Sequence, residues 1–68
     1  MKLSARNQLA GTVKEVNKGA AIANVVIDVG GQRIVSSITV EAADDLGLAA
    51  GSEVTVIVKA SDVILATE

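Results

Sequence analysis

Ala21-Ile22-Ala23-Asn24-Val25-Val26-Ile27-Asp28-Val29, then Gly30-Gly31, then Gln32-Arg33-Ile34-Val35-Ser36-Ser37-Ile38-Thr39, is the stretch on which the architecture turns. Side chains of an extended chain point alternately to opposite faces, so Ala21, Ala23, Val25, Ile27 and Val29 share one face. Gly30-Gly31 provides two adjacent residues that take positive φ without a Cβ penalty, which a two-residue hairpin requires. Two antiparallel strands, 21–29 and 32–39, are therefore predicted. The other face of the first of them carries Ile22, Asn24, Val26 and Asp28 and is only half polar. A strand with apolar residues on both faces is covered on both. In so short a chain the second cover is expected from another copy, with Ile22 and Val26 available for burial between subunits.

Upstream, residues 7–17 alternate, with Leu9, Gly11, Val13 and Glu15 in one parity. Glycine inside a strand marks a bend or a close backbone approach, and Gly11 is read that way. Asn17-Lys18-Gly19 supplies turn chemistry. Downstream, residues 39–47 read as a short helix with Thr39 as N-cap, acids in the early turns and Gly47 as the stop. At under three turns it persists only by packing Leu46 and its alanines onto the sheet. Ala50-Gly51-Ser52 is a turn, and residues 52–60 form a fourth strand with Val54, Val56 and Val58 inward. Ser61-Asp62 breaks that strand, and residues 63–66 form a short fifth one. Three strands, a short helix and two strands is the element order of an oligonucleotide/oligosaccharide-binding (OB) Greek-key barrel. The expected fold class is all-β, a small five-stranded OB-like barrel with one short helix between strands 3 and 4. An open sandwich of the same order is the alternative. Residues 1–68 form one domain, with no linker, repeat or low-complexity stretch.

Composition narrows the chemistry. The chain has 68 residues and 34 apolar ones, comprising 11 Ala, 11 Val, 6 Ile, 5 Leu and 1 Met, with no Cys, His, Trp, Tyr, Phe or Pro. Thiol and imidazole nucleophiles, Cys/His zinc sites, disulfides and aromatic base-stacking platforms are thereby removed. Seventeen Val and Ile against no ring favour pleated surfaces but bury little area per residue. A core of this size is marginal alone, and self-association is the expected remedy. Six basic and eight acidic residues give a net charge of −2, which argues against wrapping duplex nucleic acid. Residues 1–7 lack the apolar stretch of a secretory leader and no run spans a bilayer, so a cytoplasmic protein with no membrane partner is expected.

No carboxylates have a catalytic spacing. Asp44 and Asp45 are neighbours on the predicted helix and diverge. No loop holds the oxygen cluster that calcium or magnesium needs. An enzyme is not expected, nor is direct metal coordination or a cofactor. A small anion, by contrast, requires only hydrogen-bond donors in a fixed cage. Two segments concentrate them: Ser4-Ala5-Arg6-Asn7 and Lys59-Ala60-Ser61, each with a hydroxyl, a cation and turn amides.

Those segments also carry a family likeness. Ser4-Ala5-Arg6-Asn7-Gln8-Leu9 with Gly11, Asn17-Lys18-Gly19, Ser37-Ile38-Thr39, Leu46-Gly47-Leu48, Gly51 and Lys59-Ala60-Ser61-Asp62-Val63 resemble the molbindins, or Mop proteins, along nearly the whole chain. Asn24 stands where an acidic residue is common in that family. The resemblance implies a cytoplasmic protein that binds molybdate or tungstate as the intact oxyanion, stores or buffers it, and assembles as a homo-hexamer, a trimer of dimers. It implies an interface site with Ser4, Ala5 and Arg6 from one subunit, Lys59, Ala60 and Ser61 from a neighbour, and Thr39 contributing. A second oxyanion site near the threefold axis is matched by Lys18, Gly19, Ala20 and Ser37. A donor-only cage suits a fully deprotonated tetrahedral dianion and disfavours hydrogen phosphate, whose proton needs an acceptor. The alternatives are a regulatory or adaptor module sensing the oxyanion for a transporter or transcription factor, and an OB-type nucleic-acid-binding module, for which the basic groove and stacking rings are missing.

Overall fold

The structure is a computed structural model and describes residues 1–68. It contains β1 (Asn7–Lys18), β2 (Ile22–Val29), β3 (Gln32–Thr39), α1 (Val40–Asp45) and β4 (Glu53–Val58), followed by a single 3-10 turn, Ala60–Asp62. The strands make one antiparallel sheet in the order β3-β2-β1-β4. The hairpin predicted at Gly30-Gly31 forms with Val29 opposite Gln32 and φ values of 56° and 86° at the two glycines. No helix is long and apolar enough to cross a membrane.

β1 serves two partners in succession. Asn7 to Thr12 pair with β4, whereas Thr12 to Lys18 pair with β2, with a bulge between Val13 and Glu15. At the changeover Gly11 is buried, and a Cβ there would stand 2.7 Å from Ile27 Cγ2 and 3.2 Å from the Asp28 carbonyl oxygen. The close approach read from the sequence is thus real, and only glycine permits it. Val13 donates its N–H to the Ser52 carbonyl at 2.9 Å and accepts from Gly51 N–H at 2.8 Å, which fixes where β4 begins. Ser52 belongs to this turn, its hydroxyl accepting from Ala49 N–H at 3.0 Å. β4 therefore starts at Glu53 and stops at Val58, shorter than the predicted 52–60.

The core is thin. Val13, Val25 and Ile27 form its centre, with Val16, Val29, Ile38, Leu48, Val54 and Val56 packed around them. Only 7 of 68 residues are buried, which leaves most apolar side chains of the chain in partial contact with solvent. The predicted inward parities hold in β2 and β4, with one correction: Val26 is already buried within the chain, so of the expected interface pair only Ile22 is exposed. On the face opposite Val25, Val26 lines a recess shared with Lys14 and Arg33, and long side chains of this kind cover apolar surface with their stems. α1 forms with Thr39 as N-cap, its hydroxyl accepting from Ala42 N–H at 3.0 Å. Ala43 carries its packing, while Leu46 is 69% exposed rather than seated on the sheet. The six-residue helix ends before Leu46, which caps its C-terminal end with the side chain outward.

The fifth strand and the closed barrel do not form in the single chain. After the 3-10 turn the backbone stays extended at Val63 (φ −86°, ψ 118°), yet residues 63–66 pair with nothing, and Ile64 and Leu65 are 92% and 87% exposed. β3 and β4 keep free outer edges. The 33 backbone hydrogen bonds fall short of the roughly 45 usual for this length, as unfilled edges require. The architecture is an all-β, four-stranded antiparallel sheet with one short helix.

Replacing Gly11 by Ala is expected to cost about 1–3 kcal/mol, because backbone as well as Ile27 must move. Urea unfolding at fixed protein concentration measures this, and an unchanged midpoint contradicts the close-packing account.

Candidate functional site

β1 and β4 run antiparallel, so the start of one meets the end of the other. Their last rung is Asn7 opposite Val58. One residue beyond it on either strand stand Arg6 and Lys59. The two donor-bearing segments, 55 positions apart in sequence, thus lie side by side at one end of a single chain. Asn7 fastens them: its side-chain amide donates to the Val58 carbonyl at 3.1 Å in a half-buried contact.

The local backbone is tied down without using up the donors. Arg6 Nε donates to the Ser4 carbonyl at 3.1 Å and Gln8 Nε2 to the Ala5 carbonyl at 3.2 Å, folding residues 4–6 over the strand start. A guanidinium has five N–H groups, so four remain for a ligand. On the facing segment, the Asp62 amide donates to the Lys59 carbonyl at 2.8 Å and closes the 3-10 turn. The first amides of such a turn, those of Ala60 and Ser61, have no acceptor within it. Arg6 and Lys59 are both exposed and neither forms an ion pair; the single ion pair of the chain is elsewhere. Two cations at one strand end repel each other, and an anion between them turns that repulsion into attraction.

Thr39 lies apart from this group. It pairs with Ile22 at the far end of the sheet, beside the turn that follows Lys18. Eleven steps of β1, roughly 35 Å of strand path, separate Asn7 from Lys18. Its hydroxyl accepts from Ala42 N–H and keeps its own hydrogen to donate. One chain does not bring Thr39 to Arg6 and Lys59.

Lys18, Gly19, Ala20 and Ser37 do gather near that far end. Ser37 opposes Asn24 one rung in from Ala23, which pairs with Lys18, and Gly19 N–H donates to the Ile22 carbonyl at 2.8 Å. Lys18 is already engaged, its Nζ 2.6 Å from Asp44 Oδ1, with both side chains about half exposed. An exposed pair of this kind contributes at most about 1 kcal/mol. It nonetheless places a carboxylate where the second anion was expected, with Glu41 and Asp45 lining the same shallow recess as Thr39.

Two participants escaped the reading of the sequence. Asn7 was quoted in the motif but given no task; an amide at a strand start is the available signal. Asp44 is read from the sequence only as diverging from Asp45 on the predicted helix, and nothing local marks its pairing with a lysine 26 positions away. No group of His, Cys, Asp or Glu is placed to hold a metal ion.

Comparison with known proteins places these features in a family. Residues 3–65 match the TOBE domain. Molybdenum-pterin-binding protein 3 of Clostridium pasteurianum is 42% identical over 66 residues, spanning 96% of this chain and 97% of that protein. The high-resolution structure of a molybdate-binding protein from Sporomusa ovata superposes with a TM-score of 0.94 at 42% identity, covering 98% of this chain and all of the other. The cytoplasmic molybdate-binding protein ModG, in a molybdate-bound crystal form, gives a TM-score of 0.84 at 48% identity over 88% of this chain and 43% of its own.

Thr39→Ala is expected to lower stability by about 1 kcal/mol through loss of the cap, and Thr39→Ser to restore it. Thermal unfolding of the two variants checks this, and equal midpoints for both would remove the capping role.

Proposed function

The chain belongs to the TOBE-domain family and, within it, to the molbindins, and on that footing we propose that it binds molybdate or tungstate as the intact dianion, without catalysis, to store and buffer it in the cytoplasm. The observation that carries this reading is the Asn7–Val58 rung, which puts Arg6 and Lys59 each one residue beyond the same end of the β1–β4 ladder. Ser4, Ala5 and Arg6 provide a hydroxyl, turn amides and a guanidinium; Lys59, Ala60 and Ser61 provide an ammonium, turn amides and a second hydroxyl. Two positive charges balance a doubly negative tetrahedron, and directed N–H and O–H groups replace its water. Thr39 completes the cage from a different copy, since its distance from Arg6 within one chain leaves no other route. Lys18, Gly19, Ala20 and Ser37 form a second and weaker site, in which the anion competes with Asp44 for Lys18.

Assembly belongs to the same proposal. Residues 63–66 act as the missing fifth strand by docking on the free sheet edge of a neighbouring copy, closing a barrel that the lone chain leaves open. Burying Ile64 and Leu65 there contributes about 3–6 kcal/mol. That matches the whole stability expected of a core this small. The 3-10 turn that bears Lys59, Ala60 and Ser61 leads directly into this segment. Docking the tail therefore carries half of the anion cage to the subunit boundary. A homo-hexamer, arranged as a trimer of dimers, gives every tail an edge and every cage two sides. Occupancy and assembly then stabilise each other by linkage.

Arg6→Ala combined with Lys59→Ala is expected to abolish tight molybdate binding in isothermal titration calorimetry, and unchanged affinity refutes the site. Molybdate at about 100 times its Kd is expected to stabilise the unsubstituted chain by about 2.7 kcal/mol. Ile64→Lys is expected to reduce the assembly from six chains in native mass spectrometry. A hexamer that survives this change contradicts tail docking.

A further inference from the structure

Beside the β2–β3 hairpin, on the face of the sheet that carries Val26, lies a recess that none of the residues discussed above as anion ligands enters. It has a volume of about 220 Å³ and is lined by Lys14, Val26, Ile27, Asp28, Gly31 and Arg33. Each charged group reaches it through a different local feature. Lys14 is the extra residue of the β1 bulge: Val13 opposes Ile27 and Glu15 opposes Val26, so Lys14 has no partner in the ladder. A bulge re-aims the side chain that it leaves unpaired. Asp28 and Arg33 stand opposite one another, one rung in from the Val29–Gln32 pair that closes the hairpin. Because β1 and β3 flank β2, they are about 10 Å apart, a span that the long stems of lysine and arginine close from the two sides over Val26. Gly31 leaves the rim open, with nothing within 4 Å of where a Cβ would stand.

None of the three charged groups is engaged. No side-chain hydrogen bond or ion pair includes Lys14, Asp28 or Arg33, although Asp28 is half-buried and faces Arg33 across the ladder. Glu15, the next residue of β1, neither lines the recess nor pairs with Lys14. Two free cations and one free carboxylate around a common space call for a ligand that both accepts and donates. We infer that this recess binds hydrogen phosphate, a tetrahedral anion that keeps a proton. Lys14 and Arg33 donate to its oxygens, and Asp28 accepts its P–OH. An ionised carboxylate only accepts, so to sulfate or molybdate, which have no proton to give, Asp28 offers repulsion alone. To hydrogen phosphate it offers a charge-assisted hydrogen bond. The selectivity is the reverse of that of a donor-only cage, and it belongs to different residues: the recess and the β1–β4 end stand or fall separately.

The test compares three anions of equal charge on the intact chain. At about pH 8 inorganic phosphate, methyl phosphate and sulfate are all dianions, but only inorganic phosphate retains a proton. Methyl signals of Val26 and Ile27 report the recess by nuclear magnetic resonance, while those of Ala5 and Ala60 report the β1–β4 end. Saturable shifts at Val26 and Ile27 are expected with inorganic phosphate, with methyl phosphate and sulfate weaker by about tenfold, the worth of one hydrogen bond to a charged group. Lys14→Gln with Arg33→Gln is expected to weaken phosphate by at least tenfold, and Asp28→Asn to bring the three anions to the same affinity, since an amide can donate to any of them. Circular dichroism establishes that each variant is folded. Equal shifts from all three anions with the unsubstituted chain show non-specific anion binding and overturn the inference, as does a linear response that never saturates. A phosphate preference that survives in folded Asp28→Asn removes the role of the carboxylate and overturns it too. Should that variant not fold, the comparison of the three anions on the unsubstituted chain still decides.

Discussion

The close approach of β1 to β2 at Gly11 is the constraint on which the rest depends. One strand of 12 residues holds β4 by its first half and β2 by its second, and the two ladders overlap at Thr12. Gly11 lets the backbone close on Ile27, the Val13/Glu15 bulge adds local twist, and the two backbone bonds of Val13 to Gly51 and Ser52 pin the incoming chain. The candidate site residues at the β1–β4 end inherit their place from this junction. β4 begins at the pinned turn and runs back along β1, so its end lies opposite the start of β1, with Arg6 and Lys59 each one residue past the Asn7–Val58 rung. With a side chain at residue 11 the strands would separate at the point that sets this register.

A chain folded in this way has a thin core and an excess of outward apolar surface. Leu46, Ile64 and Leu65 are more exposed than large aliphatics normally remain in a monomer. The same economy shows in the polar groups. No side-chain nitrogen or oxygen is buried without a partner, and the cations at the β1–β4 end remain exposed and uncommitted. In the proposed assembly, stability and ligand capture draw on the same unfinished surfaces.

Much of the fold was legible because the deciding signals are local. Gly30-Gly31 between two alternating runs fixes the β2–β3 hairpin to the residue, Thr39 three positions before Ala42 defines the helix cap, and Gly11 announces the tight approach. The misreadings share one cause, which is that periodicity reports which residues are apolar but not what is present to cover them. Residues 63–66 look like a strand, yet a strand exists only against an edge. Leu46 looks like an anchor, yet the helix ends one residue before it. Val26 looks like interface, yet its own chain already covers it.

The candidate site divides along the same line. The residue types that suit a dianion, namely arginine, lysine, hydroxyls and turn amides without competing acceptors, are written in the two end segments and need no coordinates. That Ser4 to Arg6 and Lys59 to Ser61 share one end, while Thr39 stands at the other beside Glu41, Asp44 and Asp45, is decided by strand pairing alone. Sequence carries chemistry and local conformation, which act over a few residues. Which distant residues become neighbours depends on register between strands, and that is settled by packing across the whole sheet.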